Sequence, residues 1–128
     1  MSDANTTLRE LKERMAAFVA EREWQQFHTP KNLSMSIAIE AAELMEHFQW
    51  LTAEESKNLS DEALADIGEE LADIVIYALS LSNALDLDLS ETILSKMDKN
   101  IRKYPKEKVR GKSHKYTYYQ EDNPRTED

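Results

Sequence analysis

Two glycines and three prolines in 128 residues leave this chain few places to break or turn. A turn-rich β fold needs both residues often, so their scarcity points to long helices. The apolar residues agree, because they recur at helical spacing. Leu8, Leu11, Met15 and Phe18 form one stripe, on a helix that opens with the capping box Thr7-x-x-Glu10 and is expected to run to about Gln26. The segment His28–Asn32 reads as a loop broken at Pro30. A second helix is expected from about Leu33 to Leu51, with Ile37, Ala41, Leu44, Phe48 and Leu51 as its apolar stripe. Thr52-x-x-Glu55 is a second capping box and predicts a short helix or turn. A third helix runs from about Ser60 to Leu85, striped by Leu64, Ile67, Leu71, Ile74, Ala78 and Leu81, and a fourth from near Ser90 to just before Pro105. The expected fold is all-α, a bundle of four to five helices. Residues 1–118 read as one domain. Residues 119–128 read as a flexible C-terminal tail, since few aliphatics and no period follow Pro105.

A chain of this length with 41% hydrophobic residues builds a modest core, and oligomerisation fits that size. There is no cysteine, hence no disulfide framework and no thiolate metal site. The first residues lack a basic start followed by an apolar run, and no apolar stretch is long enough to span a membrane. A cytoplasmic location is expected, with no membrane partner. The net charge of −9 speaks against a nucleic-acid coat, but it hides an asymmetry. Ser34 to Glu91 carries fourteen acids and one lysine, whereas Lys96 to Lys115 carries nine Lys or Arg against Asp98 and Glu107. Carboxylates for a cation, followed by cations for phosphates, suit a site for metal plus polyanion.

The carboxylates themselves are patterned. Glu40 and Glu43 are three residues apart, so they share one edge of a helix, each just before a member of the stripe. Glu70 and Asp73 repeat the device on the next long helix. If the two helices pack antiparallel, four carboxylates converge at the border of the core. Glu46, Glu54, Glu55, Asp61, Glu62 and Asp66 read as a solvated face. Asp73 does not, because every other residue from Leu71 to Leu79 is apolar or aromatic. An unpaired charge in such a run is costly, and like charges three apart cost a further ~0.2–0.5 kcal/mol per pair. A bound cation reverses that sign. Four oxygen donors suit Mg²⁺, with Mn²⁺ as a substitute. A di-iron bundle would need Glu-x-x-His motifs that His28, His47 and His114 do not supply.

Glu40-AA-Glu43 followed by Glu70-LA-Asp73 resembles the signature of the MazG-like, all-α NTP pyrophosphatases. The segments EREWQQFHTPKNL (21–33), EAAELMEHFQW (40–50), EELADIVIYAL (69–79) and LSKMDKNIRKYP (94–105) are similar to the dCTP pyrophosphatase branch. The resemblance covers roughly residues 8 to 118. It implies Mg²⁺-dependent hydrolysis of a nucleoside triphosphate, dCTP or a 5-modified dCTP, to the monophosphate and pyrophosphate. It also implies a homo-tetramer built as a dimer of dimers. Carried over residue by residue, it gives Glu40, Glu43, Glu70 and Asp73 as catalytic metal ligands. Trp24, His28, Trp50 and Tyr77 fall where the branch holds base and sugar, and Lys96, Asn100 and Tyr104 at the triphosphate or sugar. Met15 stands where the branch often has a histidine. Glu43 and Glu69 are the candidates for general base.

Each aromatic and basic residue also has a plain reading: Trp24 and Trp50 as core or interface anchors, Tyr77 as a core tyrosine, Lys96 and Asn100 as a solvated helix face. Two other functions stay open: the same chemistry on dUTP or other non-standard triphosphates, and a non-catalytic helical interaction protein.

Overall fold

The computed structural model describes residues 1–113, and among them are five helices: α1 (Leu8–Glu21), α2 (Pro30–Glu46), α3 (Asp61–Ala84), α4 (Leu89–Lys103) and α5 (Lys106–Val109). A single 3₁₀ turn, Glu55–Lys57, bridges α2 and α3, and no strand occurs among the described residues. The chain divides into two compact units, the first ending at Leu87 and the second beginning at Asp88. The domain boundary expected at 118 and the tail 119–128 lie outside the described residues.

Local chemistry explains the helix starts. Thr7 accepts from the Glu10 N–H at 3.2 Å while the Glu10 carboxylate accepts from the Thr7 N–H at 2.6 Å, a complete capping box. Thr52 and Glu55 make the same exchange at 2.9 and 3.1 Å, and it opens the 3₁₀ turn. In both boxes the bonds to threonine hold the glutamate carboxyl below its ordinary range. Ser60 caps α3 and Asp88 caps α4. Pro30 starts a helix instead of interrupting one. Thr29 caps the N–H of Asn32, and proline at the first helical position gives up a donor that had no partner anyway.

The helix ends depart further from expectation. α1 stops at Glu21, five residues early. The Trp24 N–H bonds the Val19 carbonyl at 3.0 Å and the Glu23 N–H bonds that of Ala20 at 3.1 Å, with Glu23 at φ +52°. This closure normally recruits glycine at the left-handed position, and here a glutamate takes it. α3 closes identically, with Asp86 at φ +52° and Leu87 bonded to Ser82 at 2.9 Å. α2 ends at Glu46, and residues 47–51 form turns instead of the last helical turns expected there. α5 was not foreseen.

In the first unit α3 is the central rod. α2 packs along it most extensively and α1 less so. The Asn83 side chain donates to the Lys12 carbonyl at 2.9 Å, and Lys12 Nζ donates to Leu87 O at 2.7 Å, tying α1 to the end of α3. The apolar side chains that this packing buries are Val19, Leu33 and Leu79. The stripes expected to face inward do so only in part. Ile67, Ile74, Ala78 and Leu81 are half-buried, but Leu64 and Leu71 stay more than half exposed. Ala41 and Leu51 are exposed as well. Leu64, Leu71 and Val75 share one face of α3, and Met35 and Ile39 lie one turn apart on α2, all open to solvent. In the second unit α4 leaves Ile93, Leu94, Met97 and Ile101 exposed in the same way. No described helix is long and apolar enough to cross a membrane.

Candidate metal centre and aromatic wall

Antiparallel packing of α2 on α3 brings the carboxylates together. Glu40, Glu43 and Glu70 each present an oxygen within 4.8 Å of the others. Asp73, one turn beyond Glu70, stands outside that trio, yet its charge acts on Glu40. Burial is the first cause of what happens there. A hydrogen bond to Glu43 and the charges of Glu43 and Asp73 follow, and together they push the Glu40 carboxyl up to about 7. Glu40 Oε2 and Glu70 Oε2 are buried and have no hydrogen-bond partner among the described residues. Buried carboxylate oxygens left unpaired beside like charges fit a bound metal cation. His47, to which no pattern in the sequence assigns a role, places Nε2 3.9 Å from Glu70 Oε1.

That arrangement sets a pH dependence. Glu40 binds its proton more tightly folded than unfolded, where its value is near the ordinary 4.5. The Glu40 contribution to stability is therefore expected to fall as pH rises from about 4.5 through about 7. Glu10 and Glu55 are shifted the other way and act below that window. The melting temperature of chelator-treated protein is expected to decline across it, and Glu40→Gln to flatten the decline. Parallel curves for the two proteins would refute the assignment.

A second group of predicted residues forms a wall of rings. Trp24 packs edge-on to Phe18 at 5.6 Å and stacks on His28 at 5.9 Å and 29°. His28 lies 6.5 Å from Tyr77. The early end of α1 makes this possible, because it turns the chain at Glu23 and lays Trp24 back along the helix. Arg22 lies over the Phe18 ring, its guanidinium 3.8 Å from the ring centre. Trp50 does not join these ring contacts; it sits in the turn after α2 and is 88% exposed. In the second unit Lys96 and Asn100 are exposed on α4, and Tyr104 caps that helix with its N–H on the Asn100 carbonyl. Glu69 is exposed on α3.

Next to the ring wall, a pocket of about 570 Å³ opens between α1, the start of α2 and the end of α3. Met15, His28, Ser80 and Asn83 line it. Ser80 and Asn83 were not singled out from sequence. A serine within a helix, with no charge or motif beside it, carries no signal until its surroundings are known.

Comparison with known proteins decides the kinship. The MazG-like family model matches residues 35–118, well over half of the chain and including both carboxylate pairs. The chain belongs to the MazG-like family. Among MazG-like relatives, dCTP pyrophosphatase 1 of Homo sapiens is 42% identical over 113 residues. That alignment covers 87% of this chain and 66% of the human protein. The proteins of the same name from Bos taurus and Mus musculus are 42% and 39% identical over the same length. The chain thus spans about two thirds of the length of these relatives. A pyrophosphatase from Archaeoglobus fulgidus, solved by crystallography, superposes with a TM-score of 0.73 at 38% identity. It covers 82% of this MazG-like chain and 98% of its own.

Proposed function

We propose that this chain is a nucleoside triphosphate pyrophosphohydrolase that converts dCTP, or a 5-modified dCTP, to the monophosphate and pyrophosphate. The observation that carries this reading is the convergence of Glu40, Glu43 and Glu70 from α2 and α3, in a chain 42% identical to dCTP pyrophosphatase 1. Glu40, Glu43, Glu70 and Asp73 hold Mg²⁺, with Mn²⁺ as a substitute. When bound, the cation screens the triphosphate charge and makes the α-phosphorus more electrophilic. Glu43 or Glu69 takes the proton as water adds to the α-phosphorus. The bond to the bridging oxygen breaks and pyrophosphate departs. Fixed charges and positioning supply most of the acceleration, as is general for phosphoryl transfer.

Trp24 and Tyr77 offer flat faces to the base with His28 between them, and stacking on such faces is worth roughly 1–3 kcal/mol per base in nucleic-acid complexes. The roles of Trp50, Lys96, Asn100 and Tyr104 rest on the resemblance alone. Residues 1–118 act as one catalytic domain, a limit supported by the family match ending at 118. The working form is a homo-tetramer in the cytoplasm that clears the nucleotide pool. The open apolar faces of α2 and α3 support assembly.

The test is release of monophosphate and pyrophosphate from dCTP, 5-methyl-dCTP, dUTP, dTTP, dATP and dGTP, with Mg²⁺ and with chelator. Cation-dependent release of both products, strongest for cytosine nucleotides, is expected. A maximum on dUTP would keep the chemistry and move the selectivity. No turnover of any triphosphate would end the reading.

A further inference from the structure

The two buried serines of α3 differ in one respect. The Ser82 hydroxyl donates to the Leu79 carbonyl at 2.7 Å. Ser80 is 6% exposed, and its hydroxyl has no partner among the described residues. A buried hydroxyl left unpaired costs stability, and a helical serine usually avoids the cost by bonding back to the preceding turn. Ser80 instead lines the pocket between α1, α2 and α3. His28 lines the same pocket, and its Nδ1 is likewise buried and without a partner among those residues. Asn83 is already engaged, its amide held by the Lys12 carbonyl at 2.9 Å. Most of the remaining wall is apolar, with Met15, Val19 and Pro30. The pocket therefore offers two unused hydrogen-bonding groups among hydrocarbon surfaces. Its natural occupant is a flat heterocycle with polar atoms on its edge.

We propose that Ser80 is a specificity-determining residue, its hydroxyl and His28 Nδ1 reading the hydrogen-bonding edge of the substrate's base. This rests on the pyrophosphohydrolase reading above and assigns it a base-recognition group. A hydroxyl that rotates and an imidazole with two tautomers match a donor and an acceptor side by side, as on a pyrimidine edge. The unpaired hydroxyl is then a stability cost retained for the bound state.

The experiment compares wild type and Ser80→Ala by kcat/KM on dCTP, dUTP, dTTP, dATP and dGTP, with the melting temperature of each nucleotide-free protein. Ser80→Ala is expected to lower kcat/KM for the preferred base by about tenfold, the size of one neutral hydrogen bond, and to leave the least preferred base nearly unchanged. The nucleotide-free melting temperature is expected to rise, because the variant removes an unpaired buried group. Loss of activity in equal proportion on every base overturns the proposal, since a purely structural hydroxyl would act that way. Unchanged selectivity overturns it too. Wild type that turns over no triphosphate would refute the function itself, a result separate from any effect of Ser80→Ala.

Discussion

Glu40→Gln is expected to lower turnover by at least ~10³-fold, since a carboxylate that holds a catalytic cation is worth several kcal/mol of transition-state stabilisation. The amide keeps the size of the side chain and removes its charge. It also removes one of three carboxylates whose oxygens lie within 4.8 Å of one another, so the cation-free fold is not weakened. The paired readout is decisive. Turnover should collapse while helicity and melting temperature hold or rise. Glu46→Gln, on the exposed side of the same helix, should change neither. Full activity in Glu40→Gln would remove the metal centre from the account.

Under the proposed tetrameric assembly, Leu64→Asp is expected to yield monomers and to lower the melting temperature with them. Within one chain the change should be nearly silent. Leu64 is 58% exposed, and exposed substitutions usually stay within about ±0.5 kcal/mol. It also sits in the first turns of α3, where a negative charge favours the helix dipole. A large effect must then come from a second copy that covers the face of Leu64, Leu71 and Val75. Burying one leucine in such an interface is worth roughly 1.5–3 kcal/mol, and a buried unpaired aspartate reverses it. Light scattering of wild type and variant at equal concentration measures the outcome. Identical masses would mean that this face meets nothing.

The two predictions draw on unequal parts of the sequence. The carboxylate register was legible because residues three apart on a helix must share an edge, whatever surrounds them. Thr7 with Glu10 and Thr52 with Glu55 were legible for the same reason. Their bonds close within four residues. Pro30 misled because one residue breaks a helix from inside and starts one from its first position, and only Thr29 in front decides which. The end of α1 was illegible, since Glu23 takes a left-handed backbone without the glycine that usually announces it. The stripes of α2 and α3 were right only in part: Phe48 and Leu51 lie beyond the end of α2, and the α3 stripe joins half-buried Ile67, Ile74, Ala78 and Leu81 to exposed Leu64 and Leu71. Periodicity does not say whether a face is covered by the chain's own helices, and for Leu64 and Leu71 it is not. Ser80 was hidden for a related reason, because its importance lies in a missing partner.

The placement of the two tryptophans has a spectroscopic consequence. Trp24 is wedged between Phe18 and the imidazole of His28, whereas Trp50 stands 88% exposed in the turn after α2. Their fluorescence should therefore separate without any label. Trp50 emits from water at long wavelength, and a blue shift from it would register burial by another molecule. Trp24 emits from a ring stack that displacement of His28 would brighten or dim. One spectrum thus follows two regions of the first unit independently, and replacing either tryptophan by phenylalanine assigns the signals.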